Sequence, residues 1–209
     1  MDGLLIDSET LVRAGVRRAA IAVGREFPDE LYARTIGQSD VGYMAAVHEH
    51  FGPDFPMERF LEAEIVEIQR EFAGGVQLKA GVFELMDHIE QLGLPVALAT
   101  SSGRASAERH LGEHGLFDRF KAVVAREDVP RHKPDPAPYL EAARRLGVDP
   151  ALCLALEDSH NGVRAAHAAG MMAVMVPDLL DPTEEMHGLC VHIAETLHDV
   201  RRLLDTGSC

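Results

Sequence analysis

The spacing of apolar residues changes character once along the chain, at Gly74-Gly75. Before that point Leu61, Ile65, Ile68 and Phe72 recur at three- and four-residue intervals, and Gly24, Gly37 and Gly52-Pro53 punctuate the segments. Positions on one face of a helix recur at that interval, so residues 11–75 are expected to form a small all-helical unit. Beyond it, short apolar runs alternate with amphipathic stretches. The runs at 95–99, 122–125, 152–156 and 172–176 contain no charged residue, as expected of parallel strands covered on both faces by helices. Val82, Leu85, Met86, Ile89 and Leu92 form a helix stripe that stops at Gly93. Further helices are expected at 105–114, 137–146 and 161–169, closed by Gly115, Gly147 and Gly170, because glycine accepts the left-handed turn that ends many helices. A last helix at 193–204 precedes a frayed tail, 205–209, and no internal repeat is visible.

Strand and helix in alternation define an α/β fold with a Rossmann-like parallel sheet core. Residues 1–10 and 76–209 are assigned to that core, and 11–75 to a helical unit inserted in it. The length of 209 residues allows one core and a smaller unit, and 46% hydrophobic with 26% charged residues is a globular composition. A formal charge of −14 argues against nucleic-acid binding, which requires clustered Lys and Arg. No apolar run reaches the roughly 18–20 residues that span a bilayer, and no signal segment is seen. Cys153, Cys190 and Cys209 fit no zinc or redox spacing and are read as free structural thiols. A cytoplasmic protein without nucleic-acid or membrane partners is expected. The sequence does not specify an oligomeric state.

In open α/β sheets, ligands bind outside the carboxyl ends of the strands. Thr100-Ser101-Ser102-Gly103 follows the first run, and its hydroxyls and free N–H groups at a helix start suit a phosphate oxyanion, although Ser and Thr are also ordinary helix caps. Lys133, between His132 and Pro134, follows the second run in a stretch whose prolines fix the backbone. Glu157 and Asp158 end the third. Adjacent acids there are costly without a cation, and hard oxygen donors suit Mg²⁺.

Taken in order, these pieces resemble the haloacid dehalogenase superfamily, in its branch of β-phosphoglucomutase and related sugar-phosphate phosphatases. The family's first loop reads Asp-x-Asp-Gly-x-hydrophobic-hydrophobic-Asp-Ser, and Met1-Asp2-Gly3-Leu4-Leu5-Ile6-Asp7-Ser8 matches it from the x onward. Thr100 matches the second motif, Lys133-Pro134 the third, and Glu157-Asp158-Ser159 with Gly162 the fourth. The resemblance implies that the helical unit is a cap domain and that Asp2 is the acid/base of an aspartyl-phosphate mechanism. It further implies Mg²⁺ held by the first aspartate of the loop motif, the Asp2 backbone carbonyl, Asp158 directly and Glu157 directly or through water. Lys133 would pair with the nucleophile and phosphate, and Thr100 and Ser101, with Ser102 beside them, would hold the phosphoryl oxygens.

The attacking aspartate of that loop would stand immediately before Met1, as would the family's first strand. Two readings meet this departure. The favoured one places the true start upstream, so that the 209-residue chain as written does not turn over; the other is a shortened, phosphate-binding relative without activity. Hydrolytic dehalogenation is disfavoured by Asp2 with Glu157 and Asp158. β-Phosphoglucomutases carry a histidine where this chain has Val12 and a cap arginine where it has Asp40, so hydrolysis is expected over phosphotransfer. Gly37, Gln38 and Ser39 are the candidate cap loop facing a small phosphorylated metabolite, with a plain helix-connecting turn as the other reading. Sugar monophosphates are the leading substrate class.

Overall fold

The computed structural model describes residues 1–206. Cys209 and the end of the expected tail lie outside the described residues. Met1–Ile6 with Leu78–Cys209 forms one compact unit, and Asp7–Gln77 a second.

The second unit holds helices α1 (Ser8–Ala22), α2 (Asp29–Thr35), α3 (Asp40–Phe51) and α4 (Met57–Ala73). Asp7 starts α1 by accepting hydrogen bonds from the Thr10 N–H (3.3 Å) and hydroxyl (2.9 Å), which satisfies one of the orphan donors of the first turn. Phe27, Phe55 and Phe60 are buried with Val16, Ala19, Leu31 and Val47, and the Phe27 and Phe60 rings stack with centroids 5.8 Å apart. Helices α1 and α4 approach closely at Gly15, where an added Cβ would come 2.6 Å from Ile68 Cγ1 and 2.8 Å from its backbone nitrogen.

The buried side of α4 differs from the expected stripe. Ile65 is 61% exposed while Phe60 is fully buried. The polar Glu64 lies inward instead, where its carboxylate accepts a hydrogen bond from the Tyr43 hydroxyl at 2.8 Å. A face that includes a hydrogen-bonded carboxylate is invisible to hydrophobic periodicity.

The first unit contains α5 (Val82–Gln91), β1 (Ala97–Ala99), α6 (Arg104–Gly112), β2 (Ala122–Val124), α7 (Ala137–Leu146), β3 (Leu154–Glu157), α8 (His160–Ala168), β4 (Met172–Met175), α9 (Glu184–Leu189), β5 (His192–Ile193) and α10 (Leu197–Thr206). The named strands pair in parallel: β1 with β2, and β3 with β4 with β5. This is the expected α/β class. Among the described residues β1 and β3 each have a strand partner on one side only. Small residues let α8 lie against β3 and β4, with Val163, Ala165 and Ala166 buried against Ala155, Ala173 and Met175. Close packing of this kind is what makes single-methylene changes in a core costly.

Two expectations are corrected at the C-terminal end. The helix expected from residue 193 begins at Leu197, and Ile193 belongs to β5, paired with Met175. Thr196 and Asp199 cap each other, with the Thr196 N–H donating to Asp199 Oδ2 at 2.9 Å and the Asp199 N–H to Thr196 Oγ1 at 3.4 Å, and this reciprocal cap sets the helix start. The strand expected from 152 starts at Leu154, because Pro150–Leu152 is taken up by a 3₁₀ turn that Asp149 caps. No helix of the described residues is long and apolar enough to cross a membrane.

Candidate active site

The opening residues form a closed turn. The Leu5 N–H donates to the Met1 carbonyl at 2.8 Å and the Gly3 N–H to the Ile6 carbonyl at 3.0 Å, while Met1, Leu4, Leu5 and Ile6 are buried. Gly3 sits at φ +71°, and a Cβ there would come 2.3 Å from Asp158 Oδ2. Only glycine meets both conditions.

Asp2 projects to the Thr100–Ser102 stretch, where the Ser102 hydroxyl donates to Asp2 Oδ2 at 2.7 Å. The Ser102 N–H in turn donates to Thr100 Oγ1 at 3.1 Å, and the buried Thr100 continues the β1–β2 pairing through its N–H to the Val124 carbonyl at 2.9 Å. Ser101 lies between them with an exposed side chain.

Lys133 ties two strand ends together. Its Nζ donates to the carbonyl of Ala99, the last residue of β1, at 3.1 Å, and pairs with Glu157, the last residue of β3. The Tyr139 hydroxyl, from the first turn of α7, also donates to Glu157, and the Ser159 hydroxyl lies 3.4 Å from Glu157 Oε2. A Cβ on Gly162 would fall 1.9 Å from Glu157 Oε2, so the carboxylate occupies the space that this glycine leaves at the start of α8. Burial alone would raise the Glu157 carboxyl; the Lys133 ammonium and the Tyr139 hydroxyl overcome it and hold the group below the usual glutamate range. Burial also pushes the Tyr139 hydroxyl well up, with Glu157 adding to the effect.

Asp158 has the opposite character. Burial pushes its carboxyl up to about 6; the Met1 amino group opposes this and Glu157 reinforces it.

Among the described residues no three His, Cys, Asp or Glu side chains are gathered as metal ligands. The ligand expected of Asp2 is its backbone carbonyl, with which its carboxylate's bond to Ser102 does not compete, while the Glu157 carboxylate is taken up by Lys133, Tyr139 and Ser159. Asp158 has a different neighbour: the Cβ position of Gly3 is 2.3 Å from Asp158 Oδ2 and 3.1 Å from Asp178 Oδ2. Asp178 pairs with Lys79 through Oδ1, and its buried Oδ2 has no hydrogen-bond partner among the described residues. Two hard carboxylate oxygens near each other, one of them buried without a donor, fit a divalent cation such as Mg²⁺.

Gly37, Gln38 and Ser39 lie in the helical unit. Gly37 turns the chain at φ +70°, and Ser39 caps α3 by accepting from the Gly42 N–H at 3.2 Å. Gln38 lines an open cavity of about 550 Å³ in that unit with Arg34, Ile36 and Glu49.

Tyr139, Lys79 and Asp178 were not singled out from the sequence. Tyr139 reads there as one more apolar position on a helix, and its polar tip was the available signal. Nothing local marks Lys79 and Asp178 as partners.

A buried lysine joining two strand ends, a hydroxyl-bound aspartate and a pair of acids at the end of a third strand thus lie at the carboxyl ends of parallel strands in an α/β fold. The haloacid dehalogenase-like hydrolase model matches residues 1–170, and the chain belongs to that family. Hexitol phosphatase B of Escherichia coli (strain K12) is 35% identical over 183 residues, covering 85% of this chain and 81% of that one. The phosphorylated carbohydrates phosphatase of Thermotoga maritima is 29% identical over 208 residues, covering 100% and 89%. The solved HAD family hydrolase of Deinococcus radiodurans R1 shares the fold with a TM-score of 0.83 at 24% identity, covering 100% of this chain and 94% of its own. The chain is thus a hydrolase of this family, and the two sequence relatives are named as phosphatases of hexitols and of phosphorylated carbohydrates.

Proposed function

We propose that this protein is a Mg²⁺-dependent phosphatase of a sugar monophosphate, working through an aspartyl-phosphate on a carboxylate joined directly ahead of Met1. The observation that carries the reading is the convergence of Asp2, Thr100 and Ser102 with Lys133, which reaches the ends of both β1 and β3.

Each group has a task the geometry supports. Thr100 and the N–H of Ser101 hold phosphoryl oxygens at the carboxyl end of β1, where Lys133 supplies positive charge from a fixed position. Asp2, held by the Ser102 hydroxyl, gives a proton to the departing sugar oxygen and then takes one from the water that cleaves the acyl phosphate. Mg²⁺, bound by Asp158 with Glu157 behind it, supplies charge neutralisation for the transferring group. The helical unit acts as the cap, with Gly37–Ser39 in its substrate-facing loop, and Val12 and Asp40 favour hydrolysis over phosphotransfer. The free thiols Cys153 and Cys190 suit a reducing cytoplasm.

The test is a panel of hexose, pentose and hexitol phosphates and nucleotides, assayed with Mg²⁺ on the chain extended by an apolar strand ending in aspartate. Inorganic phosphate should appear fastest from the sugar phosphates and fall by at least 100-fold in Asp2→Asn. Isomerised sugar phosphate in place of released phosphate would make the protein a mutase. Preference for nucleotides would remove the substrate assignment.

A further inference from the structure

Asp178 follows β4 in the stretch Val176-Pro177-Asp178 and has no part in the phosphate-handling set above. Lys79, just ahead of α5, pairs with its Oδ1 across 99 positions of sequence. That anchor fixes the direction of the other oxygen. Oδ2 is buried and accepts no hydrogen bond among the described residues, although buried carboxylate oxygens nearly always find a donor. It lies 3.1 Å from the Cβ position that Gly3 leaves empty, and Asp158 Oδ2 lies 2.3 Å from the same point. Asp158 Oδ2 takes the place where a Gly3 side chain would stand, so the two carboxylate oxygens lie near each other against Gly3. Like charges so placed repel unless a cation, or a donor carried by one, compensates them.

We propose that Asp178 is a positioning residue of the cation site: its Oδ2 accepts a hydrogen bond from a water carried by the divalent cation that Asp158 binds, and Lys79 aims the carboxylate at that water. The inference rests on the cation-dependent reading above. Outer carboxylates of this type set the orientation and affinity of a metal site, and their loss weakens binding about 10- to 100-fold. Lys79 balances the charge of Asp178, so the carboxylate adds a hydrogen-bond acceptor without adding net charge to the site.

Mn²⁺ serves as the probe, titrated into the full 209-residue chain with the free ion read by its magnetic resonance signal and the bound ion by water-proton relaxation. The wild-type chain should bind Mn²⁺ and Asp158→Asn should lose that binding. Asp178→Asn should bind about 10-fold or more weakly, with altered relaxation from the bound ion's waters, since the amide keeps the shape and removes one acceptor. If Asp178→Asn does not fold, Lys79→Met carries the test, and at least a threefold loss of affinity is expected. Unchanged affinity and relaxation in the folded variant, with wild type binding and Asp158→Asn not, would overturn the assignment to Asp178 and leave the phosphatase reading standing. A lowered melting temperature with unaltered Mn²⁺ binding is the signature of a purely structural ion pair and overturns it equally. Absence of binding in the wild-type chain overturns the cation site and the inference together.

Discussion

Lys133→Met takes away an ammonium and leaves a side chain of similar length. In the folded protein Lys133 is 12% and Glu157 5% exposed, so the pair is shielded from water on both sides. Removing one partner of a buried ion pair costs about 3–5 kcal/mol, because the other charge stays buried without compensation. Glu157 keeps the hydroxyls of Tyr139 and Ser159, which places the loss at the lower end, about 3 kcal/mol at pH 7. The Ala99 carbonyl also loses a donor, worth about 1 kcal/mol. The pH dependence gives a second, independent signature. In the wild type, Glu157 is held below its unfolded value, so its contribution is present above the unfolded pKa and is lost as pH falls through the folded one. In Lys133→Met burial dominates and raises the carboxyl, so the folded variant binds the proton more tightly than its unfolded chain and gains stability as pH falls from 7 toward 5. The deficit between the two proteins must therefore narrow on acidification. Urea unfolding at pH 5, 6 and 7 reads it directly through the midpoint, at constant slope. Adding Glu157→Gln to Lys133→Met should recover all but about 1 kcal/mol, since no buried charge then remains. A deficit under about 1 kcal/mol at pH 7, or one that widens at pH 5, would refute the reasoning.

The other predictions concern glycines and a buried acid. Gly15→Ala should lower stability by about 1–3 kcal/mol in thermal unfolding, because its Cβ would meet the Ile68 backbone and force α1 and α4 apart. Gly3→Ala combines a left-handed backbone with a 2.3 Å approach to Asp158, so at least about 1–2 kcal/mol of strain and a displaced Asp158 should appear as a lower melting temperature and weaker Mn²⁺ binding. Glu64→Gln should stabilise the helical unit at pH 7.5, since burial raises this carboxyl and the amide still accepts from Tyr43. A raised folded pKa makes the ionised form the unfavourable one, so that gain should vanish at pH 4 when Glu64 is protonated; equal melting temperatures at both pH values would contradict it.

The sequence was most legible where a local signal and a strand end coincide. Helix α7 begins at Ala137 and ends at Leu146 as the pattern indicates, because Pro136 and Pro138 mark its start and Gly147, at φ +72°, closes it. Thr100, Lys133 and Glu157 could be found because each follows an apolar run, and the geometry joins Lys133 to Glu157 and, through Ser102, Thr100 to Asp2. Strand β5 was hidden because it is two residues long and His192 is exposed. The inward turn of Glu64 was hidden because its partner Tyr43 belongs to another helix. Tyr139 and the Lys79–Asp178 pair depend on contacts between distant segments, which periodicity does not record.

Catalysis by the proposed mechanism requires a carboxylate nucleophile beside Lys133, Glu157 and Asp158. Three proteins decide it in one assay of Mg²⁺-dependent phosphate release from a hexitol phosphate: the 209-residue chain, the chain extended by an apolar strand ending Phe-Asp, and the same extension ending Phe-Asn. Turnover in the Phe-Asp protein alone is predicted. Equal release by the unextended chain, or none from any of the three on any sugar phosphate, would contradict the account.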